Sequence, residues 1–284
     1  MAKLGVFAVA LSGIFGGAAA VGKALGPINV GGVAASHGSH NSETPPLASL
    51  PQGLALAENG YRLALEAVTV DPGSPKMFVF RILDHAGQPV AHFELVHDRP
   101  LDLIVLSRNL VDFFRLSPSM DVTGRWTVAL PALQPGSYRV FTDFQPTGAE
   151  HITLASDIDV PGNVELVATP MPSSIASVDG YNVALTGEAG VGATKLGFIV
   201  QRAGKDLVPD PRFIGSEQLT AVRIGDLAYF HEQPTVDPSN PVFSITADFP
   251  TSGAYRLFFE FSGDGTIHTA AFTVIVPDGS MTSP

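Results

Sequence analysis

The sequence predicts an all-β protein: two tandem Ig-like antiparallel β-sandwich domains behind an N-terminal transmembrane or signal helix. Three observations carry this. One ending occurs twice: Gly136-Ser137-Tyr138-Arg139-Val140-Phe141-Thr142-Asp143-Phe144, then Gly148 and His151, matches Gly253-Ala254-Tyr255-Arg256-Leu257-Phe258-Phe259-Glu260-Phe261, then Gly265 and His268. The tyrosines, the later glycines and the histidines are each separated by 117 residues. Short apolar runs recur at roughly ten-residue spacing with Gly/Pro turns between them. Beyond the N-terminus no stretch carries a long amphipathic helical period.

The N-terminal element comes first. Lys3 precedes an uncharged run over residues 4–22. At a helical rise its nineteen residues reach about 28 Å, close to the hydrocarbon thickness of a bilayer. An uncleaved signal anchor is the favoured reading; a cleaved signal peptide ending near Ala20, after the small residues Ala18-Ala19-Ala20, is the alternative. Either places the remainder outside the cytoplasm. Residues 23–56 are rich in Gly, Ser, Pro and Asn and read as a flexible linker. His37 and His40 within it read as solvated. The first sandwich is expected over 57–168 and the second over 169–284.

Within the first domain, Met77–Leu83 ends at an Asp/Gly/Pro turn, and Val90–Leu95 alternates as a half-buried strand should. Leu101–Leu106, Trp126–Leu130, Tyr138–Phe144 and Ile152–Val160 follow. A helical turn is expected around Asn109–Phe114. The second copy repeats the pattern in Tyr181–Leu185, Leu196–Gln201, Leu219–Ile224, Phe243–Phe249, Tyr255–Phe261 and Thr269–Val276. In each Gly-x-Tyr-Arg run the tyrosine is expected to bond back to the preceding turn as a tyrosine corner, with the arginine facing out.

Composition narrows the chemistry. The 284 residues suffice for two cores, and 45% hydrophobic content excludes wholesale disorder. A net charge of −11 argues against a nucleic-acid partner, because phosphate binding needs a basic face. With no cysteine, disulfides, thiolate metal sites and cysteine nucleophiles are all ruled out. There is no GxSxG elbow, P-loop or GxGxxG motif. His231-Glu232 begins like HExxH, but Thr235 stands where the second histidine belongs. No enzyme is expected and no catalytic residue is assigned.

The histidines are the remaining lead. His151 and His268 occupy equivalent places at the start of each last strand. Aligning Phe114 with Phe230 sets Arg115 opposite His231. The second copy thus offers His231 and His268 as candidate metal ligands, and the first offers His97 and His151, with His85 and His92 nearby in sequence. Imidazoles suit copper or zinc, and a stable site wants three or four ligands. The plainer reading is strand-end histidines in ordinary hydrogen bonds.

The string from His97 to Leu110, the block Gly225-Asp226-Leu227-Ala228-Tyr229-Phe230-His231, and Tyr255-Arg256-Leu257-Phe258 with Ile267-His268-Thr269-Ala270 resemble a bacterial family. Its members are membrane-anchored extracytoplasmic two-repeat β proteins, mostly of high-GC Gram-positive origin, labelled uncharacterised or heavy-metal-binding-domain proteins. The resemblance covers nearly the whole chain. It implies histidines where this chain has Asp102, Arg115 and Gln218, with His97, His231 and His268 persisting; Gln218, Glu232 or Gln233 would supplement them. The expected function is a non-enzymatic, membrane-anchored extracytoplasmic binding or structural module. The alternative is a copper or heavy-metal binder using a residual histidine site in the second domain. Expected partners are the membrane, through the N-terminal helix, and an unidentified protein or metal ligand.

Overall fold

The computed structural model describes residues 51–96, 98–165, 167–208, 217–235 and 240–278. The expected N-terminal helix, most of the expected linker, His37, His40 and His97 lie outside them. Among the described residues no helix is long and apolar enough to cross a membrane.

The first repeat contains β1 (Ala57–Glu58), β2 (Tyr61–Leu65), β3 (Lys76–Leu83), β4 (Phe93–Glu94), β5 (Leu101–Ser107), β6 (Phe113–Leu116), β7 (Ser119–Met120), β8 (Trp126–Leu130), β9 (Gly136–Pro146) and β10 (Ile152–Val160). One sheet runs β1-β2-β3-β8-β7; the other runs β10-β9-β5-β6, with β4 also on β9. The second repeat contains β11 (Ile175–Val178), β12 (Tyr181–Thr186), β13 (Gly192–Arg202), β14 (Lys205–Asp206), β15 (Gln218–Arg223), β16 (Tyr229–Glu232), β17 (Val242–Phe249), β18 (Gly253–Gly263) and β19 (Thr266–Val276). Its sheets run β11-β12-β13-β14, with β17 on β13, and β16-β15-β18-β19. Both repeats are Ig-like antiparallel sandwiches.

Period-2 alternation builds each core. Phe78, Phe80 and Ile82 of β3 meet Leu103, Val140 and Leu154 in the first. Val183, Phe198 and Ile245 meet Leu219, Leu257 and Phe272 in the second. The tyrosine corners form as expected: Tyr138 Oη donates to Gln134 O (3.1 Å) and Tyr255 Oη to Thr251 O (3.0 Å). The expected helical turn around Asn109–Phe114 is instead a tight turn followed by β6, held by Ser107 Oγ accepting from the Val111 and Asp112 amides.

The two sandwiches also share a third core. All seven residues of β5 are buried, because both of its faces are covered. Leu101, Leu103 and Val105 face their own sandwich, whereas Ile104 and Leu106 join Phe141 and Ala155 against Val222, Leu227, Tyr229 and Phe258 of the second repeat. The sheets β10-β9-β5-β6 and β16-β15-β18-β19 are therefore packed face to face, giving four layers. A strand buried on both faces reads as a continuous apolar run, as Leu101–Leu106 nearly does.

This seam is reciprocal. Phe113 stacks on Phe258 with ring centroids 4.4 Å apart, and Tyr229 stacks on Phe141 at 5.0 Å. Phe113 and Tyr229 hold equivalent places, as do Phe141 and Phe258, so the contact i-to-j′ is repeated as j-to-i′. That pattern belongs to a twofold, self-complementary interface, here within one chain. Leu110 (φ 63°) and Leu227 (φ 64°) are a further equivalent pair. Both leucines adopt the left-handed region at the turn after the central strand, a strained place for a branched side chain. Both are buried in the seam, which offsets the strain. The arginines expected to face out do not: Arg256 is buried and donates to Leu110 O (3.2 Å), and Arg139 donates to Gly53 O and Leu54 O (both 2.9 Å).

Candidate functional site

Half of the seam is polar. Asp143 on β9 stands opposite Asp102 on β5 and Thr153 on β10. The equivalent row in the second repeat is Gln218, Glu260 and Thr269. The two equivalent acids, Asp143 and Glu260, each meet a basic group on the edge strand of the other repeat, whereas Asp102 pairs with arginines of its own repeat. Arg115 of β6 donates from Nε to Glu260 Oε2 (2.6 Å) and from Nη2 to Thr220 Oγ1 (2.8 Å). Its Nη1 lies 3.1 Å from Asp102 Oδ2. His231 of β16 places Nδ1 3.5 Å from Asp143 Oδ2. His151, at the start of β10, places Nε2 2.9 Å from Asp143 Oδ1. Thr153 Oγ1 donates to the same oxygen at 2.7 Å.

Burial makes these contacts matter. The Asp143 side chain is 3% exposed and that of His231 4%, while His151 is 35% exposed, so the cluster meets solvent at His151. Burial raises the Asp143 carboxyl, but hydrogen bonds and charge from His151 and His231 outweigh it and hold the group far below the usual carboxylate range. The bond to Asp143 raises His151 above the ordinary histidine value. Burial opposes the charge on Arg115, yet Glu260, Tyr229 and Asp102 raise it overall. The buried Tyr229 phenol is pushed well above its usual value, chiefly by desolvation.

The histidines are not grouped as the sequence suggested. His231 lies on β16 and His268 on β19, at opposite edges of one four-stranded sheet. Three strand spacings separate them by about 14 Å, too far for one ion. His268 is occupied locally: Nδ1 pairs with Asp179 Oδ2 (2.8 Å), and Nε2 lies 3.0 Å from Thr266 Oγ1 and 3.1 Å from Gly263 O. The pair brought together is His151 with His231, from different repeats, through Asp143. Among the described residues no group of three or more His, Asp or Glu is placed to hold a metal ion. Nor do these groups present a nucleophile on a base, since the Thr153 hydroxyl donates to the carboxylate rather than to an imidazole.

Asp143 and the Arg115–Glu260 pair were not singled out from sequence. The signal was available: Asp143 and Glu260 fall at the same position of the repeated ending, and Arg115 had been aligned with His231.

The family model described as a domain of unknown function (DUF8832) matches residues 56–162 and 176–278. The chain belongs to the DUF8832 family. The two DUF8832 segments coincide with the two sandwiches, and the expected two-repeat family with an uncharacterised label is what the match gives. No curated protein matches the chain. Among solved structures, the Escherichia coli adhesin FdeC is similar at 17% identity over 78% of this chain and 65% of its own, with a TM-score of 0.25. InvD of Yersinia pseudotuberculosis is similar at 14% over 81% and 61%, TM-score 0.26. The Ig1-2 module of the Drosophila receptor protein tyrosine phosphatase DLAR is similar at 10% over 76% and 98%, TM-score 0.22. The chain spans just under two thirds of FdeC and InvD, and no functional conclusion follows from likeness at this level.

Proposed function

We propose that this DUF8832 chain is a non-catalytic extracytoplasmic module, held at the membrane by its N-terminal segment, whose two repeats act as one rigid binding or structural unit. The observation that carries the reading is the seam. Two sandwiches joined by an ordinary flexible connection would turn independently. Here they bury a reciprocal aromatic core and a buried ion-paired half, so the outer sheets are presented at a fixed separation. The 4–22 run supplies the length a membrane anchor needs.

The test uses the full chain in cells, with a photo-crosslinking residue replacing Met77, which is 67% exposed on an outer sheet. The reading expects the chain in the membrane fraction, degraded by externally added protease, and crosslinked to a discrete partner. Recovery in the cytoplasmic fraction, protected from that protease, would refute it.

A further inference from the structure

We propose that His151, Asp143 and His231 form a proton-operated clamp that closes one edge of the seam between the repeats, while Arg115 and Glu260 hold the opposite edge closed regardless of proton. Arg115 and His231 are equivalent residues, and so are Glu260 and Asp143, so each copy offers a basic group to the other's acid. The two contacts differ in chemistry. An Arg–Glu pair keeps its charges across the physiological range, whereas a His–Asp pair gains and loses one.

Charge bookkeeping across the polar half points the same way. Its acids are Asp102, Asp143 and Glu260, buried to 4%, 4% and 5% exposure. Its permanent cations are Arg115 and, at the rim, Arg99, whose Nη1 lies 3.0 Å from Asp102 Oδ1. Arg99 and Arg115 balance Asp102 and Glu260. Asp143 remains, and the groups facing it are His151, immediately before β10, Thr153 from β10, Asp102 from β5, and His231 and Tyr229 from β16, with Arg115 and Glu260 beyond. Glu232 flanks His231 and adds negative charge. One proton on the histidine pair supplies the charge that compensates Asp143. Without it, a buried carboxylate is left uncompensated, a costly arrangement.

The direction is fixed by the contacts. The clamp is closed where Asp143 is ionised and an imidazole is protonated. It opens when that proton is lost, because Asp143 is then a buried carboxylate facing an uncharged imidazole of His231 across the seam; the bond to Asp143 within the first repeat holds His151 protonated above the ordinary histidine range. His151 is the group through which the proton enters, being the exposed member of the three. Opening frees the β16 edge from β9 and β10, while the β6 edge stays against β18.

The chain has no cysteine, so pairs of spin labels can be introduced without background. Glu150→Cys with Thr235→Cys, both exposed, reports the histidine edge. Pro75→Cys with Ile267→Cys reports the groove floored by Arg115 and Glu260. Pulsed electron-resonance distances on the full chain are expected to be narrow for both pairs at pH 6. At pH 9 the histidine-edge distribution shifts to longer distance and broadens, and the arginine-edge distribution does not change. His231→Gln gives the pH 9 distribution already at pH 6. A histidine-edge distribution that is the same at both pH values overturns the proposal, as does equal broadening of both pairs. If the glutamine variant fails to fold, the comparison of pH values in the labelled parent still decides.

Discussion

Replacing Arg115 by methionine removes a buried cation but keeps most of the side chain's volume. The guanidinium contacts Glu260 at 2.6 Å and Asp102 at 3.1 Å, with a side chain only 6% exposed. At an effective dielectric of about 20, each such contact is worth roughly 5–6 kcal/mol before desolvation is counted. Desolvation offsets several kcal/mol per ion, so the net worth of the pair is small. The variant's loss is different in kind, because Glu260 stays buried with no cation; that costs about 3–5 kcal/mol. For a protein of this size the midpoint of thermal unfolding should fall by roughly 6–20 °C. Adding Glu260→Leu should recover most of that loss, since the stranded charge goes with it. The assay is urea unfolding followed by tryptophan fluorescence and circular dichroism. Trp126 lies in the first repeat's core, so fluorescence follows that repeat while dichroism follows both. One coincident transition is expected in the parent and two in Arg115→Met. A single variant costing under 1 kcal/mol, or a double variant no better than the single, would refute the reasoning.

Three further outcomes are expected. Gly53 has φ 74°, and a Cβ there would sit 2.7 Å from Tyr229 Cβ and 2.9 Å from Phe141 Cε1. Gly53→Ala should therefore cost about 1–3 kcal/mol and speed hydrogen exchange at the Tyr229 amide, which bonds Gln52 O; unchanged exchange would count against it. Tyr255→Phe removes the phenol's two hydrogen bonds to Thr251, at its carbonyl and its hydroxyl, and should cost about 1–3 kcal/mol in urea without altering the distance between the repeats. The stability–pH profile should have two limbs. The Asp143 contribution is present above its unfolded value of about 3.9 and is lost as pH falls toward its much lower folded value. The His151 contribution is present below about 6.5 and is lost as pH rises through its raised folded value. Asp143→Asn should flatten both limbs in urea midpoints taken from pH 3 to pH 9; a persisting alkaline limb would point to another group.

The internal repeat, the strands and the tyrosine corners were legible because they are local. Alternation marks a strand, and a Tyr two residues after a turn glycine marks a corner. What lay across the sheets was not. Arg139 and Arg256 alternate with core aromatics and so read as outward. Outward from each sandwich is inward to the seam, and period alone does not distinguish a face covered by water from one covered by another domain. The grouping of His231 with His268 failed for a related reason. Strand order in an antiparallel sheet does not follow sequence order, and β15 and β18 intervene between their strands. Pairing across the repeats, which joined His231 to Asp143, has no signature within either repeat. It could have been sought in the equivalence of acids and bases between copies.

The first described residues bear on how one edge of the seam is secured. Gln52 to Ala55, within the stretch read from sequence as linker, is stitched to both repeats. Gly53 N donates to Thr153 O, Ala155 N to Ala55 O, and Tyr229 N to Gln52 O. Arg139 grips two carbonyls of the same segment, and Thr153 Oγ1 lies 3.1 Å from Gln52 Oε1 and 2.7 Å from Asp143 Oδ1. The strap thus crosses between β10, which His151 immediately precedes, and β16, which carries His231, and not between β6 and β19. Three backbone bonds and two arginine bonds hold it there, beside the carboxylate that faces His231. The edge secured by Arg115 and Glu260 lies at the far side and has no such strap among the described residues.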